Sequence, residues 1–98
     1  MSENILIELQ EQGSKGRYVV KNPDGAEAEM TFSKVGDSQI IIDHTGVPDA
    51  FRGQGVGAML VARAVEDARA ASMKIIPLCP FAAAQFRRHP EWADVLKS

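Results

Sequence analysis

The spacing of apolar residues changes halfway along the chain, and this change limits the folds that the chain can adopt. In the first half, apolar residues alternate with polar ones, which is the two-residue period of half-buried strands. The alternating residues are Ile5, Ile7, Leu9, Tyr18, Val20, Met30 and Phe32. In the second half the pattern becomes an apolar run, a helical stripe and another apolar run. We therefore predict three antiparallel strands followed by a strand, a helix and a strand.

Two unbroken apolar runs, residues 40–42 and 75–78, enclose the predicted helix. Between residues 56 and 73 apolar side chains recur at helical spacing, and Arg63 and Asp67 form an i,i+4 pair of opposite charge. This succession predicts two parallel strands joined by a right-handed crossover. Because continuous apolar runs are typical of strands covered on both faces, the first run is expected to be a central strand.

Turn-forming residues separate the early strands at positions 12–16 and 22–25, and they predict two hairpins. The tail predicts short helices at residues 81–88 and 91–97, interrupted by Pro90. Together these elements predict an α/β (α+β) fold with a mixed sheet of about five strands.

Length and composition are those of an ordinary globular protein. The 98 residues are 45% hydrophobic and 24% charged, which suits a single domain over residues 1–98. The formal net charge of −2 disfavours nucleic acid as a partner, because binding its backbone needs a basic surface. No segment approaches the roughly 18 apolar residues of a membrane span, and the first residues lack a secretion signal. A cytoplasmic protein without membrane contact is expected.

The single cysteine, Cys79, excludes an intramolecular disulfide and a cysteine-based metal cluster. Asp43 and Asp49 stand near His44, but their spacing does not match a metal site. We therefore expect no metal, and any chemical role of Cys79 would be that of a thiol.

A glycine-rich segment, Arg52-Gly53-Gln54-Gly55-Val56-Gly57, stands between the first apolar run and the helix. Glycines let a backbone turn sharply and approach a ligand closely, while the free N–H groups and dipole of a helix start attract an anion. Arg52 can add a charged hydrogen bond. On these residues alone, a phosphate site and a plain helix-capping turn are equally open.

Two common phosphate-binding patterns do not fit this segment. A Walker A loop would end in Gly-Lys-Ser or Gly-Lys-Thr, which is absent. The dinucleotide fingerprint matches in letters as Gly53-x-Gly55-x-x-Ala58, but ten residues separate Ile42 from Gly53, and no acidic residue follows the next strand. The third interpretation of the segment is a binding site for a pyrophosphate other than that of an NTP or NAD.

Four short blocks together resemble a known family. Arg52-x-x-Gly55-x-Gly57 is similar to the coenzyme A signature of GNAT-type N-acetyltransferases, written Gln/Arg-x-x-Gly-x-Gly/Ala. The other blocks, at the corresponding order and spacing, are His44-Thr45-x-Val47, Pro77-Leu78-Cys79-Pro80-Phe81 and His89-Pro90-Glu91-Trp92. From about residue 3 to residue 96, the chain resembles the small single-domain GNAT branch with an abbreviated fold.

The resemblance implies that the strands at residues 38–47 and 74–79 splay apart and hold the pantetheine arm of acetyl-CoA. It also implies that backbone N–H groups of residues 54–58 bind the pyrophosphate, while the main chain of residues 45–47 pairs with the pantetheine amides. The expected cofactor-binding residues are Thr45, Gly46, Val47, Arg52, Gly53, Gln54, Gly55, Val56, Gly57 and Ala58.

The expected activity is transfer of an acetyl group from acetyl-CoA to an amine, either a small amine or a protein lysine or N-terminus. The alternative is a CoA-binding regulatory or interaction module with little catalysis. Cys79 and His44 are the candidate catalytic residues. Transfer directly to the amine and transfer through an acetylated Cys79 both remain open.

Cys79 precedes Pro80 at a predicted helix start, where a thiol pKa is lowered. A small buried apolar role is equally open for it. Histidine is the side chain best suited to general-base chemistry near neutral pH, which makes His44 the candidate base, although a hydrogen-bonded structural role is equally open. Larger relatives use a tyrosine of the following helix as general acid, whereas residues 85–88 here read Gln-Phe-Arg-Arg.

Overall fold

In the computed structural model, residues 6–97 are described, and they form one five-stranded sheet with two helices. The predicted strand position of Ile5 lies outside the described residues. The elements are β1 (Glu8–Gln12), β2 (Lys15–Lys21), β3 (Glu27–Val35), β4 (Gln39–Gly46), α1 (Val56–Ala70), β5 (Lys74–Pro77) and α2 (Pro80–Arg88). Short 3₁₀ helices cover Asp49–Phe51 and Pro90–Val95.

The strands follow one another across the sheet in chain order. β1 to β4 pair antiparallel, and β4 pairs parallel with β5 after the α1 connection. Both predicted hairpins are confirmed. Gly13, at φ +64°, lies in the turn of the first hairpin. In the second hairpin, the Asn22 side chain accepts hydrogen bonds from the N–H groups of Asp24 and Ala26 at 3.1 and 2.9 Å.

The core lies between α1 and one face of the sheet. As the alternation predicts, β2 and β3 contribute Tyr18, Val20, Met30 and Phe32, and β4 adds Ile40 and Ile42. The helical stripe contributes Val56, Leu60, Val61, Ala64, Val65 and Ala68. Ala82 and Phe86 of α2 join the same cluster. Burial of these two complementary stripes supplies the main stabilisation of the fold.

Some details differ from the sequence-based expectations. α1 ends at Ala70 rather than at residue 73, because Ser72 takes a left-handed conformation at φ +58°. The second tail segment is a 3₁₀ helix over Pro90–Val95. β4 has a strand on each side, as predicted, but Ile41 is only half-buried, so its two faces are not equally covered. Within residues 6–97, no helix has the length and apolarity that a bilayer crossing requires.

β4 contains a β-bulge at Asp43. Phe32 of β3 pairs with Ile42, whereas the preceding residue Thr31 pairs with His44. Asp43 is therefore an extra residue in β4, with no partner of its own in this register. Such an insertion shifts the alternation of side chains along the strand by one position.

The bulge decides which side chain of β4 faces the helices. Residues that pair directly across two strands share a face of the sheet. Thr45 pairs with the fully buried Met30 and so lies on the core face, whereas His44 pairs with Thr31 and lies on the opposite face.

A polar contact fastens α1 to the sheet. The buried Tyr18 hydroxyl donates to Oδ2 of Asp67 at 2.8 Å, and Nε of Arg63 lies 3.3 Å from Oδ1 of the same carboxylate. The predicted pairing of Arg63 with Asp67 is thereby confirmed. Burial, followed by the bond to Asp67, raises the pKa of Tyr18 far above its ordinary value.

Tyr18→Phe should lower the free energy of unfolding by about 1 to 2 kcal/mol at neutral pH, because it removes the buried bond to Asp67. Since folding raises the pKa of Tyr18, its contribution is present below about pH 10 and is lost as the pH rises further. The difference between wild type and variant should therefore shrink in alkali. Urea unfolding at neutral and alkaline pH measures it, and equal stabilities at pH 7 would contradict the proposed bond.

Candidate functional site

The parallel contact between β4 and β5 is short. It runs from the pair Gln39 and Lys74 to the pair Ile42 and Pro77. One further bond, from the N–H of Cys79 to the carbonyl oxygen of Ile42 at 3.1 Å, closes this contact. β4 then continues to Gly46, paired only with β3 among the described strands. The two strands therefore stop pairing before β4 ends.

The loop after β4 leads into an uncapped helix start. Gly53 and Gly55 have φ values of +80° and +68°, which favour glycine. Gly55 is the N-cap of α1 and offers no side-chain hydrogen bond. The N–H of Met59 donates back to the Gly55 carbonyl at 3.1 Å. The N–H groups of residues 56–58 precede this first helical bond and are the donors that an anion would meet.

Two residues of the predicted phosphate site have other partners in this structure. The N–H of Gln54 donates to the Phe51 carbonyl at 3.1 Å and so belongs to the turn. The Arg52 side chain is 80% exposed and lies 3.3 Å from the exposed Asp49 carboxylate. Because such a surface pair is weak, Arg52 can turn towards an anion at little cost.

The starts of α1 and α2 touch at Gly57. A Cβ atom at Gly57 would lie 2.7 Å from Cζ of Phe81, which is closer than side-chain contacts allow. An alanine here would require the Phe81 ring to move, so the glycine serves close approach and not a special φ value. The Phe81 ring, 39% exposed, links the start of α1 to the segment that carries Cys79.

Cys79 is buried, with 5% of its surface exposed, and it is the N-cap residue of α2 directly before Pro80. Its Sγ lies 3.4 Å from Oγ1 of Thr45. Burial acts to raise the pKa of the thiol, but contacts with Thr45 and the N–H groups of Ala82 and Phe81 outweigh it, so this pKa lies below its ordinary value. Because Cys79 makes no capping hydrogen bond, the helix N–H groups act on the sulfur at longer range.

His44 does not meet the thiol. It is exposed on the opposite face of the sheet. Its Nε2 atom lies close to Gly46, 3.3 Å from the position that a Cβ atom on this glycine would take. A concavity of about 500 Å³ adjoins the end of β4, bordered by Gly46 and Val47 together with Glu27 and Glu29. Within residues 6–97, no three His, Cys, Asp or Glu side chains converge as a metal site.

Comparison with known proteins agrees with this arrangement. A sequence profile of the GCN5-related N-acetyltransferases matches residues 17–95. The chain belongs to this family. It is also similar to a GCN5-like protein from Staphylococcus aureus, a candidate N-acetyltransferase solved by NMR in solution. The two share 36% identity over 93% of this chain and 88% of that one, with a TM-score of 0.71. No curated protein matches the chain significantly.

Family membership confirms the resemblance given by the sequence motifs and the mixed α/β sheet of the GNAT fold. The glycine segment that carries the motif is the uncapped start of α1. The roles of single residues in this GNAT-family domain stay predictions. His44 illustrates why, since the bulge at Asp43 separates it from Cys79 although the motif names both. Thr45 contacts the thiol through its side chain, a contact that the sequence did not predict.

Gly57→Ala should destabilise the protein by about 1 to 2 kcal/mol, because the added methyl meets the Phe81 ring. In a Phe81→Ala background the same change should cost nothing or should stabilise, since alanine is favoured over glycine in a helix. Denaturant unfolding of the four proteins gives the coupling energy. An equal effect of Gly57→Ala in both backgrounds would show that the ring is not the obstacle.

Proposed function

We propose that this protein transfers an acetyl group from acetyl-CoA to an amine. Membership of the GCN5-related N-acetyltransferase family supports the reaction class. The observation that carries the proposal is the joining of an uncapped helix start to a buried thiol through the contact of Gly57 with Phe81. These are the two places where the phosphates and the thioester of an acyl-CoA need partners.

The glycine loop is proposed to hold the pyrophosphate. The N–H groups of Val56, Gly57 and Ala58 point to the start of the helix axis, where the dipole favours negative charge. The positive φ values of Gly53 and Gly55 shape the loop around that position. Arg52 adds a mobile positive charge at its rim. The N–H of Gln54 supports the turn, as it does in this structure.

The pantetheine arm is proposed to run along the end of β4. Thr45 and Gly46 pair with β3 on one side, Val47 follows directly after them, and β5 has ended on the other side. An extended amide chain can add to such an edge through main-chain hydrogen bonds. The exposed apolar side chains of Val47 and Leu78 flank this edge and suit the methylene groups of the arm.

Cys79 then lies where the thioester would end, and two routes follow. In direct transfer, the amine attacks the acetyl carbon, the carbon–sulfur bond breaks, and the departing CoA thiolate takes a proton from the Cys79 thiol. In the covalent route, the Cys79 thiolate attacks first and releases CoA, and the amine then attacks the acetyl-cysteine. The lowered pKa of Cys79 favours the second route.

His44 is proposed as the base that takes a proton from the incoming ammonium. Because it lies on the face opposite the helices, the amine would have to arrive from that face. This arrangement keeps the acceptor on the side of the concavity beside Gly46 and Val47.

The second candidate is a CoA-binding module with little catalytic activity. The separation of His44 from Cys79 favours it, because the side-chain hydrogen bond of the thiol among residues 6–97 goes to Thr45 and not to a histidine or tyrosine. If the wild type forms an acetylated amine and His44→Ala does not, the acetyltransferase is supported over the CoA-binding module.

CoA should raise the melting temperature of the protein in a concentration-dependent way, because it binds only the folded state. Gly55→Ala should weaken CoA binding about tenfold or more by distorting the loop. Gly36→Ala is a matched control: Gly36 has a similar φ of +62°, and neither glycine has other atoms near its Cβ position. Calorimetry that detects no CoA binding to wild type at millimolar concentration would end the proposal.

Incubation with acetyl-CoA should add one acetyl group to Cys79, observed by intact-protein mass spectrometry. The assignment is direct, because Cys79 is the single cysteine of the chain. Cys79→Ser should abolish the adduct and lower the rate of amine acetylation by about a hundredfold or more. An active Cys79→Ser variant without an adduct would instead establish direct transfer.

A further inference from the structure

Thr45 occupies the place beside the thiol that strand alternation would give to His44. Ile40 and Ile42 face the core, so in a strand without a bulge His44 would be the next side chain to face the core. Because of the bulge at Asp43, Thr45 takes this core-facing position instead. As a result the Thr45 hydroxyl, rather than an imidazole, lies 3.4 Å from Sγ of Cys79.

Apart from Thr45 and the N–H groups of Phe81 and Ala82, the buried thiol lies within the apolar core. Cys79 belongs to the same buried cluster as Ile42 and Ala82, and the first two turns of α1 carry no charged residue. The main contributions to the pKa of Cys79 come from burial, from the Thr45 hydroxyl and from backbone groups. The titratable groups on the elements around Cys79 occupy other positions of those elements. They are Asp43 and His44 on β4, Arg63 and the charged residues after it on α1, Lys74 at the start of β5, and Arg87 and Arg88 at the end of α2.

We infer that Thr45 is a positioning residue for Cys79, acting through a hydroxyl that serves both protonation states of the sulfur. A threonine hydroxyl is one donor and also an acceptor. When Cys79 is a thiol, its S–H donates to Oγ1. When Cys79 has lost its proton to solvent, the hydroxyl rotates, keeps its own proton and donates to the thiolate. This inference rests on the proposed role of Cys79 in acetyl transfer.

The inferred contact would serve either route of transfer. It fixes the direction of Sγ at the end of the parallel contact, where the gap between β4 and β5 begins. It also stabilises negative charge on the sulfur in a place where burial opposes that charge. An apolar side chain of the same shape at position 45 would keep the packing and lose both effects.

Titration of thiolate absorbance against pH tests the inference, because the single cysteine makes the signal that of Cys79 alone. Thr45→Val should move the midpoint to higher pH, whereas Thr45→Ser, which keeps the hydroxyl, should stay near wild type. Thr31→Val is the matched control, since it makes the same change on β3 at a residue paired with His44 on the other face. Neither it nor His44→Ala should move the midpoint.

With acetyl-CoA present, Thr45→Val should form the acetyl adduct roughly three- to tenfold more slowly at neutral pH, the range that one lost hydrogen bond gives. The deficit should become smaller at high pH, where the thiol is ionised in both proteins and only the loss of the fixed Sγ direction remains. A purely structural loss would have the same size at every pH. Melting curves identify a variant that does not fold, and Thr45→Ala then replaces Thr45→Val.

A midpoint in Thr45→Val equal to that of wild type would overturn the inference, as would an equal shift in Thr31→Val. The absorbance titration uses no coenzyme, so its outcome does not depend on the proposed function. If CoA does not bind but the midpoint moves as expected, the acetyltransferase proposal fails and the contact of Thr45 with Cys79 stands.

Discussion

The short parallel contact between β4 and β5 is the constraint on which the candidate site depends. Four residue pairs and the bond from Cys79 to the Ile42 carbonyl hold the strands together, after which β5 ends and the chain enters α2. If the ladder were longer, the edge of β4 at Thr45 and Gly46 would be occupied by strand hydrogen bonds. Because it stops early, this edge, the thiol and the start of α2 come together at one place.

Physical regularities of the chain explain why so much of the fold was predictable. Burial of Tyr18, Val20, Met30 and Phe32 follows from alternation, and the helical stripe of α1 follows from its period. The glycine segment was recognisable because its motif has a fixed place between a strand and a helix. The tail was less predictable: its sequence indicated a short helix at residues 91–97, whereas the structure has a 3₁₀ helix over Pro90–Val95.

The bulge at Asp43 was not predictable, because an extra residue in a strand leaves no mark in a single sequence. Its effect is large: it puts His44 on one face and Thr45 on the other. Sequence reasoning gave His44 and Cys79 as candidate catalytic residues, but it could not tell whether the two side chains share a face of the sheet. A register shift of one residue is enough to separate two such groups, since side chains alternate with a period of two.

The state of the thiol results from two opposing effects. Removing a charged sulfur from water is costly, and burial alone would keep Cys79 neutral. The contact with the Thr45 hydroxyl at 3.4 Å and, at longer range, the N–H groups at the start of α2 together outweigh the burial effect. The pKa of the sulfur therefore depends on neighbours from two distant parts of the sequence.

The contact of Gly57 with Phe81 links two motifs that sequence comparison treats as separate. The family signature permits glycine or alanine at the position of Gly57, yet a Cβ there meets the ring of Phe81. A homologue with alanine at this place would need a smaller or displaced side chain two positions after its cysteine. Evolutionary changes at the two positions should consequently be correlated, so that a change in the glycine segment is inherited together with a change beside the thiol.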